Sequence, residues 1–126
     1  MIIREKNIIL NTGDEEKVIG TLYQKKHRVV LDLGGYKFKT EHQKKKDNAS
    51  TFDEIFSFTN DSISEVLTPS DCFALFFQDP SCTFDMLRVV VYPDMTVTAQ
   101  DLDWLDRSHT VKDLHKYYKK RGITLI

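Results

Sequence analysis

The sequence predicts a single α+β domain spanning residues 1–126, mainly an antiparallel sheet with two or three helices packed on one face. Three observations carry that expectation. A chain of 126 residues suits one domain with one core. Short β-rich runs separated by Gly, Pro and polar turns occur at both ends of the chain, and capped helix starts occur in the middle and near the C-terminus. The composition is 40% apolar and 29% charged, with eight Phe and five Tyr, which provides enough apolar area to offset the entropy of ordering the chain.

The elements follow in order. Ile2, Ile3, Ile8, Ile9 and Leu10 bracket a polar middle, and Asn11-Thr12-Gly13-Asp14 is a turn signal. Residues 18–23 and 28–33 are β-rich runs joined by Gln24-Lys25-Lys26-His27, a gap that suits a hairpin. Gly34-Gly35 bends the chain into Tyr36-Lys37-Phe38-Lys39, where apolar and basic residues alternate with period two. The expectation is an antiparallel meander with Tyr36 and Phe38 facing inward. Residues 41–49 are polar and aperiodic and read as a mobile loop.

Thr51-x-x-Glu54 and Ser62-x-x-Glu65 have the form of capping boxes, and Thr68-Pro69-Ser70-Asp71 is a stronger helix start. The run after it is apolar nearly all round, which predicts a buried helix over 68–78. Cys72, within that apolar run, reads as a small core residue. Residues 84–92 read as a central strand and 95–99 as its return strand. Residues 101–106 read as one helical turn or an irregular acidic loop. Thr110-x-x-Asp113 opens a last helix with Val111, Leu114 and Tyr117 or Tyr118 inside, Lys119, Lys120 and Arg121 in its final turn, and Gly122 as its left-handed stop. A short strand over 123–126 closes the chain. Thr110-Val111-Lys112-Asp113-Leu114, the basic helix that follows and Gly122-Ile123 resemble the helix of ubiquitin-like β-grasp domains. That resemblance covers about residues 84–126 and implies a hairpin before the helix and a strand after it.

Charge is sorted along the chain. Residues 1–46 hold 11 Lys and Arg against 6 acids, residues 47–111 hold two Arg against 12 acids, and residues 112–126 hold five basic residues against one Asp. A net charge of −1 thus conceals segregated blocks of the kind that steer association with charged partners.

Few residues suggest chemistry. Asp101, Asp103, Asp106 and His109 are the densest group of metal-ligating types, but their spacing lacks the Gly and distal Glu of a calcium loop. Cys82 with His109 or His115 is the one conceivable thiol–imidazole pair. Gly34-Gly35 lacks the Lys-Ser/Thr and following helix of a phosphate loop. No metal, cofactor or catalytic residue is therefore assigned. Two cysteines make neither a disulfide framework nor a zinc pattern. There is no apolar leader and no membrane-spanning run, which predicts a cytoplasmic protein.

The preferred reading is a small non-enzymatic interaction protein, of inhibitor, immunity or adaptor type. It presents an acidic surface, with Asp101, Asp103, Trp104 and Asp106 as its contact residues, to a basic protein partner. The alternative is a nucleic-acid-binding module that uses Lys25, Lys26, Arg28, Lys44, Lys45 and Lys46, with Tyr23, Tyr36 and Phe38 available to stack bases. A second alternative is an enzyme whose site the sequence does not mark. The oligomeric state is left open.

Overall fold

The computed structural model describes residues 2–42, 71–79 and 86–126. Four strands, β1 (Arg4–Asn11), β2 (Glu16–Gln24), β3 (Val29–Leu33) and β4 (Tyr36–Lys39), form an antiparallel meander in chain order. This is the arrangement the alternating pattern predicts. Ile8, Leu10, Leu22, Leu31 and Phe38 are buried on the inner face, while Lys37 and Lys39 point to solvent. The β3–β4 turn needs two left-handed residues, and Gly34 and Gly35 supply φ of 62° and 96°. The Asp32 carboxylate accepts the Gly35 N–H at 2.8 Å.

The second sheet has the order β8 (Trp104–Thr110), β7 (Thr96–Ala99), β6 (Met86–Val91), β5 (Phe73–Gln78), β9 (Thr124–Leu125), with every pair antiparallel. Here the expectation of two or three helices fails. Strand accounts for 57% of the structure, and the described residues hold one α-helix and one 3-10 turn, Gln100–Leu102. Residues 73–78 are a strand, not the second half of a buried helix. Leu75 and Phe77 are buried on one side of it, while Ala74 and Phe76 are half-buried on the other. A central strand with both faces partly covered has the same continuous apolar signature as a buried helix, so periodicity cannot separate the two in a short run. Cys72 precedes this strand and is only half-buried. The helix starts at Thr51, Ser62 and Thr68, the thiol of Cys82 and most of the 41–49 loop lie outside the described residues. Residues 104–110, read as part of an acidic loop and a cap, are the edge strand β8.

The one helix, α1 (Val111–Arg121), matches its expectation closely. Thr110 and Asp113 form the capping box, with the Thr110 N–H donating to the Asp113 carboxylate at 2.9 Å. Val111 and Leu114 are buried. Gly122 stops the helix at φ 65°, its N–H donating to the Tyr118 carbonyl at 3.0 Å. The β-grasp resemblance extends no further than this strand–helix–strand order, because β8 separates the predicted hairpin from the helix.

The two sheets meet where β4 runs beside β9, joined by a parallel bridge between Thr40 and Leu125. Phe38 sits at that seam, fully buried, with the rings of Phe77, His115 and Tyr118 at 5.7, 5.4 and 5.2 Å. A single apolar cluster draws on both sheets and the helix. No helix among the described residues is long and apolar enough to cross a membrane.

Replacing Phe38 or Phe77 with Ala should each cost about 3–5 kcal/mol in urea unfolding. Because the two rings meet edge to face, the double variant should lose ~0.5–1.5 kcal/mol less than the sum. Strict additivity would show that the seam is not built on this contact.

His115 yields a pH prediction. Burial, and then the neighbouring Lys119 charge, lower its pKa below 6.5, against a hydrogen bond to the Lys37 backbone that raises it. The unfolded chain therefore takes up the proton first. This contribution to stability is full above about pH 6.5 and is lost as pH falls from there through the lower folded value. Urea midpoints measured from pH 8 to pH 5 should fall in the wild type, and His115→Phe should remove that part of the fall.

Candidate functional site

Local chain geometry places the basic residues. The β2–β3 connection is a tight four-residue turn, closed by the Lys25 N–H donating to the Arg28 carbonyl at 2.7 Å. Lys25 and Lys26 are thereby held at an exposed tip. The Lys25 ammonium lies 5.9 Å from the Tyr23 ring centroid. Immediately after the turn, Val29 and Thr40 exchange hydrogen bonds. The Val29 N–H donates to Thr40 Oγ1 and the Thr40 N–H to the Val29 carbonyl, both at 3.0 Å. This pair ties the turn to the end of β4, so Lys39, Glu41 and His42 arrive beside Arg28.

The helix brings in a third segment. The Tyr118 hydroxyl accepts the Lys39 N–H at 2.9 Å, which fixes the last turn of α1 against the same strand end. Two adjoining hollows result. One, of about 510 Å³, is lined by Arg28, Lys39, Glu41, His42, Lys119 and the turn after the helix. The other, of about 590 Å³, is lined by Ile3, Lys25, Lys26, His27, Arg28 and His42. Arg28 and His42 belong to both. Lys25, Lys26, Arg28, Lys39 and Lys119 thus surround a surface on which Glu41 is the acid. The Arg28 Nε is sealed from solvent and meets no acceptor among the described residues.

Lys25, Lys26 and Arg28 were legible as a basic loop; Lys44, Lys45 and Lys46 lie outside the described residues. His27, in the same loop, and Lys119, in the basic last turn of the helix, were legible as basic sites too; Lys39 and His42 complete the surface, and only contacts between distant segments bring these residues together. Of the aromatics expected to stack bases, Phe38 is 0% exposed and Tyr36 packs on the core and on His115, whereas Tyr23 is half-buried on β2 beside Lys25. The rings of His27 and His42 lie with centroids 4.8 Å apart.

The acidic contact residues are differently placed. Asp101 accepts the Arg88 N–H at 3.3 Å, and Asp106 accepts the Ser108 N–H at 3.2 Å. Ser108, chiefly through its hydroxyl, holds the Asp106 carboxyl below its usual range. Asp103 is a left-handed residue at the end of the 3-10 turn, with φ 58°. Trp104 is half-buried, stacked flat on His109 at 4.1 Å and edge-on to Tyr117 at 6.2 Å. The indole is therefore partly taken up by packing against the core and His109. Arg107 interrupts the acidic run, pairing with Asp94 at 3.0 Å and lying 4.0 Å over the Tyr92 ring. Among the described residues no group of three or more His, Cys, Asp or Glu converges as a metal site. Comparison with protein-family models, curated proteins and solved structures finds no match.

Trp104→Ala should cost about 1–3 kcal/mol of stability by circular dichroism, because the indole is a packing element. Converting Asp101, Asp103 and Asp106 together to Asn should cost less than ~1 kcal/mol, since Asn keeps an acceptor oxygen at each backbone contact. A Trp104→Ala protein as stable as the wild type would restore the indole as a free contact residue.

Proposed function

We propose that the protein is a non-enzymatic module that binds nucleic acid through the basic surface around Arg28. One observation carries this reading: three segments remote in sequence, 25–28, 39–42 and 118–124, are bonded together so that five cations border two hollows sharing one arginine. Cations that only maintain solubility need no such convergence. Phosphates contacted by Lys and Arg release condensed counterions, which supplies affinity without any base contact. Asp101, Asp103 and Asp106 line neither hollow. Asp106 lies on β8, the edge of the second sheet farthest in strand order from β9, and Asp101 and Asp103 lie in and at the end of the 3-10 turn just before it.

A second reading keeps the acidic edge as a protein-docking surface. It is favoured by Leu105, 67% exposed on an edge strand between Asp103 and Asp106. In that reading a basic protein is the partner.

Fluorescence anisotropy with a labelled oligonucleotide tests the first reading. Affinity should fall steeply as salt rises from 50 to 200 mM. The triple change Lys25→Gln, Lys26→Gln, Arg28→Gln should weaken binding at least tenfold and reduce the log–log salt slope by about 2, at ~0.7 per single-strand phosphate lost. Equal binding by the triple variant, or no binding by the wild type at 50 mM salt, contradicts it. The Asp101→Asn, Asp103→Asn, Asp106→Asn protein should bind the oligonucleotide like the wild type.

A further inference from the structure

We infer that the hollow bounded by Ile3, His27 and His42 holds a nucleobase, so that the ligand of this surface is a single strand rather than a duplex; this rests on the nucleic-acid reading above. The two hollows differ in lining. The one at the helix end is bordered by Lys39, Glu41 and Lys119 and by backbone at Gly122, a setting for phosphate alone. The other combines an apolar floor with a cationic rim. Ile3 is 53% exposed there, and its N–H is anchored to the Gln24 carbonyl at 2.8 Å, so this apolar side chain is held at the surface by the sheet itself.

Two imidazole rings from separate segments line the same hollow, tilted 43° to one another at 4.8 Å between centroids. The methylene stems of Lys25 and Lys26 add further apolar surface below their ammonium groups. A flat π-system of low polarity on its faces and a phosphate attached to it would satisfy both parts of this lining. The base lies against Ile3 and an imidazole face, and the phosphate reaches Lys25, Lys26 or Arg28. Bases in a duplex are stacked on each other and offer no free face. Bases in a single strand do, and stacking on an aromatic side chain tolerates any sequence. The two imidazoles are the rings that line this hollow; Tyr23 does not line it, Tyr36 packs against the core and Tyr118 is engaged by Lys39.

The test compares three labelled 12-mers at one salt concentration: a single strand of thymidines, the duplex it forms with its complement, and a strand of the same phosphate count with abasic sites. The single strand should bind at least tenfold tighter than either of the others. His42→Ala with Ile3→Ala should erase the preference over the abasic strand while leaving the salt slope unchanged. His42→Phe, which keeps a stacking ring, should retain the preference. Lys25→Gln with Lys26→Gln should weaken all three ligands alike. Thermal melts of each variant confirm that the protein remains folded. Equal affinity for the thymidine and abasic strands, with a normal salt slope, overturns the base subsite and leaves the phosphate-binding reading standing. Tighter binding of the duplex also overturns it. Failure of the wild type to bind any of the three at 50 mM salt removes both.

Discussion

The burial of Phe38 is the interaction on which the remaining architecture depends. Its ring touches β5 through Phe77 and the helix through His115 and Tyr118. It sits beside the parallel bridge, Thr40 with Leu125, that joins the first meander to the second sheet, at the centre of the apolar cluster the two share. Each ring contact is worth little beyond area burial, but together they fix the angle at which the helix crosses the seam. That angle then decides where the polar atoms fall. Tyr118, held by Phe38 on its ring face, presents its hydroxyl to the Lys39 backbone. The basic end of the helix is thereby set against the basic end of β4.

The candidate site is therefore a consequence of packing rather than of a motif. Lys25, Lys26 and Arg28 come from a hairpin turn, Lys39 and His42 from the end of the meander, and Lys119 from a helix some eighty residues later in the chain. None of these segments has a chemical signature alone. The Val29–Thr40 and Lys39–Tyr118 hydrogen bonds show how closely they approach.

What was legible in the sequence was local. The period-two alternation at Tyr36–Lys39, the double glycine before it, and the Thr110–Asp113 box with Gly122 eleven residues past Val111 each fixed an element nearly to the residue. These signals depend on neighbours in the chain. The run Phe73–Gln78 was misread because its pattern depends on distant segments, namely β6 and β9 paired along its two edges and the core against the face of Leu75 and Phe77. Strand β8 was missed because Trp104–Thr110 is exposed at five of its seven positions and pairs on one side only, so hydrophobic alternation is absent. The same blindness to long-range contact made Trp104 look like a surface hot spot, when its plane is taken up by His109. The sorting of charge into blocks is visible in the sequence, but the sequence could not say that the first and last blocks fold together.

Backbone amide shift mapping on addition of a short single-stranded oligonucleotide tests the central claim most directly, because it reports where the ligand sits without altering the protein. The account places the largest changes at residues 25–28, 39–42 and 118–124 together, with residues 101–109 of the acidic edge unmoved. Changes confined to the acidic edge, or to only one of the three basic segments, would contradict the claim that the seam assembles a single binding surface.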